Sequence, residues 1–146
     1  MTDSDELNDL IEHTVDELLT AFDIDRPPVP VELMLQRPRE GMWKEIDLSE
    51  MSASFLNLFD RYAPRMSAVR FLARTVARSE WGHKRGLEPL LTNPDGLRRL
   101  ARAIIMPRAF LENDQLADKT AISLRFEVPE EDAEARLIDL GSESKN

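Results

Sequence analysis

Cysteine is absent from all 146 residues of the chain. Disulfides and thiolate metal sites are therefore excluded, and any metal must be held by histidine, carboxylate or water. Histidine is nearly as scarce, with only His13 and His83. No apolar run approaches the roughly 20 residues that cross a bilayer. The stretch Met1-Thr2-Asp3-Ser4-Asp5-Glu6 is acidic and lacks the basic region of a signal peptide, so a cytoplasmic protein without membrane contact is expected.

Acid is what the chain has in excess, with a net charge of -9 that hides an asymmetry. Residues 61–110 hold eleven basic residues against three acids (Glu80, Glu88, Asp95), while the remainder has eight basic and twenty-five acidic ones. A basic middle between acidic ends can be a nucleic-acid footprint. It can equally be neutralised within the molecule, the acidic ends folding over the middle, and that is the arrangement expected here.

The chain is long enough to bury a core without staples, and it reads as one domain over 1–141 with a frayed tail at 142–146. From Asp3 to Phe22, apolar residues at Leu7, Leu10, Ile11, Val15, Leu18, Leu19 and Phe22 recur at helical spacing. Pro27, Pro28 and Pro30 break that helix, and a short one over Val31–Leu35 should follow. Met42–Leu48 suits a short strand, Ser52–Phe59 fits helix or strand, and Pro64 should end that element. Ser67 is a candidate N-cap for a helix running to about His83. Asn93-Pro94-Asp95 carries a cap, a first-turn proline and a first-turn acid ahead of the Leu97, Leu100, Ile104 and Ile105 stripe. Pro107 closes that helix. Leu116–Phe126 and Glu130–Leu140 read as two more helices, the last capped by Gly141. Trp43 and Trp81 read as packing residues.

The Ser67–His83 helix carries the functional question. At about 100° per residue, Val69, Leu72, Ala73 and Val76 share one face, and Arg70, Arg74 and Arg78 lie opposite. Ser79, Glu80 and His83 continue the apolar stripe. Glu80 and His83, three apart, are neighbours on one helix surface. They fit either a half-buried hydrogen-bonded pair or the remnant of a catalytic constellation. Ser79-Glu80-Trp81-Gly82-His83 has the form of a zinc-protease H-E-x-x-H helix with its first histidine replaced. In that motif both imidazoles reach one zinc and the glutamate activates the metal-bound water. Ser79 is a poor zinc ligand, and one histidine does not make up the three protein ligands a catalytic zinc requires.

In these and other segments the chain resembles the ImmA/IrrE family of zinc metallo-endopeptidases. Arg74–His83 resembles the family's R-F-T-L-A-H-E-L-G-H run, retaining Arg74, Glu80, Gly82 and His83. Ala101-Arg102-Ala103-Ile104-Ile105-Met106-Pro107 resembles F-A-x-x-L-L-M-P. Pro27–Leu33 resembles the proline-containing segment after the first helix. Leu116-Ala117, Phe126–Pro129 and Arg136–Gly141 resemble the L-A-x-x-F-x-V-S … R-L-x-x-L-G tail. The resemblance implies a mostly helical α+β, zincin-like fold with a small sheet near Met42–Phe59 beside the Ser67–His83 helix. It also implies a third metal ligand, a glutamate, near Pro94 or Gly96, where no side chain can coordinate. Asp95 turns away from the stripe. Glu88 is a possible substitute, and nothing places His13 near His83.

Three functions follow as expectations. The first is a catalytically degenerate, regulatory protein-binding module without a resident metal, whose partner is another protein such as a helix-turn-helix repressor. The second is a divergent metallo-endopeptidase with Glu80 as general base and His83 as zinc ligand. The third is nucleic-acid binding through the arginine-rich middle, with the Leu116–Leu140 segment as a DNA-binding helix-turn-helix. The acidic Glu130–Glu134 run is unsuited to that last role.

Overall fold

A computed structural model of the chain describes residues 3–46 and 63–144. Among the described residues the elements are α1 (Asp3–Ala21), α2 (Val31–Gln36), α3 (Ala63–Arg78) and α4 (Glu80–Lys84), then a 3-10 turn (Glu88–Thr92). They continue with α5 (Pro94–Ile105), α6 (Arg108–Asn113), α7 (Lys119–Phe126) and α8 (Glu130–Ser144).

The heart of the molecule is the pairing of α3 with α5, against which α1, α2, α4 and α8 are laid. The apolar stripe of α3, Val69, Leu72, Ala73 and Val76, is wholly buried, as are Leu100, Ala103, Ile104 and Ile105 of α5. Alanines at 68, 73, 77, 101 and 103 are buried among them, and their small volume lets the helices approach closely while the larger side chains fill the gaps. Asn93 caps α5 as its sequence suggests, its side-chain oxygen accepting from the Gly96 N–H at 3.0 Å.

No strand occurs among the described residues, so the expected α+β, zincin-like architecture is corrected to an all-helical one. Over Met42–Ile46, the described part of the expected sheet, Trp43 stacks on Phe22, just past the end of α1, and the Ile46 N–H donates to Leu35 O of α2 at 3.1 Å. These anchors hold the segment to helices, which offer no ladder of alternating donors and acceptors for a strand to pair with. The rest of that expectation, 47–59, lies outside the described residues.

Further boundaries shift for identifiable reasons. Pro64 lies in the first turn of α3, where its missing N–H has no helical partner to lose, so the helix begins before Ser67. Residues 108–113, for which the sequence offers no element, form α6. Gly141 lies inside α8 rather than capping it.

The basic middle and acidic ends do neutralise each other. Arg70 faces Asp132, Arg85 faces Glu17, and Arg102 holds Asp139 in a two-pronged pair at 2.7 and 2.9 Å. Arg65, at the start of α3, donates to the carbonyls of Val29, Phe126 and Glu127. The most enclosed ion pair joins the two acidic ends to each other, Arg136 of α8 to Glu12 of α1 at 2.6 and 2.8 Å, with the Arg136 Nε donating to Met106 O at 3.0 Å. Both side chains are sealed from solvent, Arg136 at 0 % and Glu12 at 2 % exposure.

Candidate functional site

The residues singled out by the H-E-x-x-H-like run do not share one helix. Helix α3 ends at Arg78, Ser79 adopts an extended backbone (φ -71, ψ 160), and Glu80 begins α4. The break is built by Ser79 itself. Its hydroxyl accepts from the Gly82 N–H at 2.9 Å and donates to Val76 O at 2.7 Å. That is N-cap chemistry, which starts a new helix. Gly82 makes the turn possible, because a Cβ there would stand 2.0 Å from Val76 O.

Helix α4 closes at once on Gly86, which has φ +82. The Leu87 N–H reaches Gly82 O at 3.0 Å and the Gly86 N–H reaches His83 O at 3.1 Å, the paired bonds of a Schellman motif. Buried Leu87 anchors it. Thus α4 is a single short turn pinned at both ends, and its inward position belongs to Gly82.

Glu80 and His83 consequently face solvent, 74 % and 66 % exposed, which corrects their expected place on the inward stripe. His83 Nδ1 lies 3.1 Å from Glu88 Oε2, and Glu80 Oε1 lies 4.0 Å from Lys84 Nζ. Glu88, the first residue of the 3-10 turn, is therefore brought to His83, though in the open. His13 is elsewhere, on α1, 3.6 Å from Glu17. Trp81, half-buried, carries the Arg85 guanidinium 3.7 Å above its ring.

A zinc cage does not fit this donor set. Both hydrogen-bonding functions of Ser79 are occupied by the cap. At the expected third position, Gly96 is buried, and an added Cβ would come within 2.6 Å of Leu90 Cδ2. No group of three or more metal-ligating side chains converges among the described residues. One imidazole and one carboxylate on an open surface can exchange a proton with water. They do not exclude it.

The helix-turn-helix expectation meets a definite geometry. Helices α7 and α8 are joined by Glu127, Val128 and Pro129, with Glu127 left-handed (φ 60) and Ser123 Oγ donating to Val128 O at 2.5 Å. The first turn of α8, where a recognition helix approaches base edges, carries Glu130, Glu131 and Asp132. Those groups repel phosphate.

Two features escaped the sequence. Arg136 was read only as part of a tail motif, although Glu12 interrupts the apolar stripe of α1 on the face of Leu19, seven residues on. Such an inward acid signals a buried cation partner. The second is a groove of about 680 Å³ between α6 and the last turns of α8, floored by Leu111, Leu116, Leu137 and Leu140. Its one wall, α6, has no capping side chain and only six residues, too short to stand out by periodicity. No helix among the described residues is long and apolar enough to cross a membrane. Comparison with protein-family models, curated proteins and solved structures returns no match.

Proposed function

We propose that the chain is a non-catalytic, regulatory protein-binding module, a degenerate counterpart of the metallo-endopeptidases whose motifs it resembles. The observation that carries this reading is the fate of the two ligand positions. Ser79 serves as a helix cap, and Gly96 packs against Leu90 where a metal-binding side chain would have to stand. Neither can be converted to a ligand without disturbing the packing around it. Glu80 and His83 are left on an open surface, without the water-excluding enclosure that tunes a general base. The partner is another protein, and the resemblance favours a helix-turn-helix repressor.

Metal analysis of purified protein, alongside peptidase assays with added zinc, manganese or cobalt, tests the proposal. Substoichiometric zinc and no cleavage are expected. Ser79→His is expected to gain neither, since position 96 still supplies no donor. One tightly held zinc per chain, or cleavage abolished by Glu80→Gln, overturns the reading.

A further inference from the structure

We infer that the groove between α6 and α8 receives a basic amphipathic helix of the partner protein. The inference deepens the protein-binding reading and rests on it. Three observations converge on this place.

The first is the floor. Leu111 and Leu116 on one side and Leu137 and Leu140 on the other line an apolar trough of about 680 Å³. Ile138, 64 % exposed, extends that surface outward, since it neighbours Gly141 of the groove wall at i, i+3. This is the form of a groove that takes the apolar stripe of a helix.

The second is Gly141. It lies within α8, and a Cβ built on it meets nothing within 4 Å. Glycine inside a helix is less favourable than alanine by up to about 1 kcal/mol, and the fold around it does not require the missing side chain. The space it leaves on the groove wall is open to a helix packing close to α8.

Charge is the third. Arg108 on the rim lies 4.0 Å from Asp16, so its cation has an internal partner. Glu112, on the same rim, forms no ion pair among the described residues. Taking 100° per residue, Glu130, which forms no ion pair among the described residues, falls on the α8 face of Leu137 and Gly141, while Glu134 on that face is neutralised by Lys119 at 3.3 Å. The uncompensated charge beside the trough is negative, so the complementary helix carries lysine or arginine flanking its apolar stripe. A second copy seated two-fold, groove against groove, would bring like charge to the same rim.

The test uses two fluorescently labelled peptides of about 15 residues, long enough to form a helix in the groove. They share one leucine stripe and differ only in lysine or glutamate elsewhere, and anisotropy is read at physiological salt. The lysine peptide is expected to bind the full chain saturably, the glutamate peptide not. Gly141→Leu, whose Cβ enters open space on the groove wall, and Glu112→Lys, on the rim, should each weaken the lysine peptide about tenfold or more. Circular dichroism confirms that both variants fold. Equal binding of the two peptides, binding of neither, or affinity unchanged in both variants overturns the inference. So does a concentration-dependent dimer that Gly141→Leu dissolves, which would make a second copy the occupant. Metal content is untouched by these outcomes, so failure here leaves the non-catalytic reading standing on its own test.

Discussion

Two acid–base pairs divide this molecule, Glu12 with Arg136 and His83 with Glu88. Each joins groups far apart or on different elements, and each closes to hydrogen-bond distance. They differ in surroundings. The first is sealed between α1 and α8, where attraction is strong and an unpaired charge is costly. The second is 66 % exposed on both sides, where water and salt screen it. Chemistry suggested by the sequence motif stands at the wetter place. The tightest electrostatics serve the packing of helices instead, and this difference separates a scaffold tie from a reaction centre.

The comparison breaks most severely at Arg136. Replacing it with alanine leaves the Glu12 carboxylate buried without a counter-charge, and a loss of about 3–5 kcal/mol in urea denaturation is expected. Glu12→Leu combined with Arg136→Met should recover most of that loss, because an apolar pair of similar volume leaves no charge stranded. A loss under about 1 kcal/mol for Arg136→Ala would show that α1 and α8 are held by apolar contacts alone. Next in size is Gly82→Ala. The added Cβ meets Val76 O, a backbone atom that cannot swing aside, so a loss of about 1–3 kcal/mol is expected. Unchanged stability there would show that α4 tolerates a different departure from α3.

Much of this arrangement is legible in the chain because local signals and packing agree. The α1 stripe, the α2 turn after the prolines and the Asn93-Pro94 start of α5 all appear where periodicity and capping place them. The break at Ser79 was missed because periodicity was read across it. The hydroxyl that makes Ser79 a poor zinc ligand also makes it a good cap, and Gly82 three residues on is a helix weakener. Periodicity alone cannot rank a continuous helix against a capped turn, since the decision depends on a contact with Val76 that only the folded backbone creates. The sheet expectation failed for another reason: among the described residues Met42–Ile46 has no strand beside it and is tied to helices instead. From the sequence Glu88 is only a possible substitute ligand, and it is the Schellman turn at Gly86 that carries it round to His83.

Gly141 sharpens the contrast between what the fold needs and what it leaves open. Gly141→Ala should stabilise the chain by up to about 1 kcal/mol in thermal or urea unfolding, since the helix gains propensity and the methyl finds empty space. Gly82 and Gly141 are thus expected to respond to the same substitution with opposite signs. A destabilised Gly141→Ala would mean that the end of α8 packs more closely than its surroundings indicate, and the groove beside it would be correspondingly shallower.

The smallest effect is the most discriminating. His83→Ala, Glu88→Ala and the double variant should each fall within about 0.5 kcal/mol of the parent, as surface substitutions do. The coupling in that cycle should lie at the low end of about 0.2–1 kcal/mol and shrink as salt is added. A buried pair gives the opposite pattern, a large coupling that salt hardly alters. If His83 and Glu88 behaved in that second way, something must shield them from water, and the open surface described here would be a closed site. A weak, salt-sensitive coupling instead assigns the pair to solvent. The imidazole and carboxylate then lack the dry enclosure that general-base chemistry demands, whatever motif they resemble.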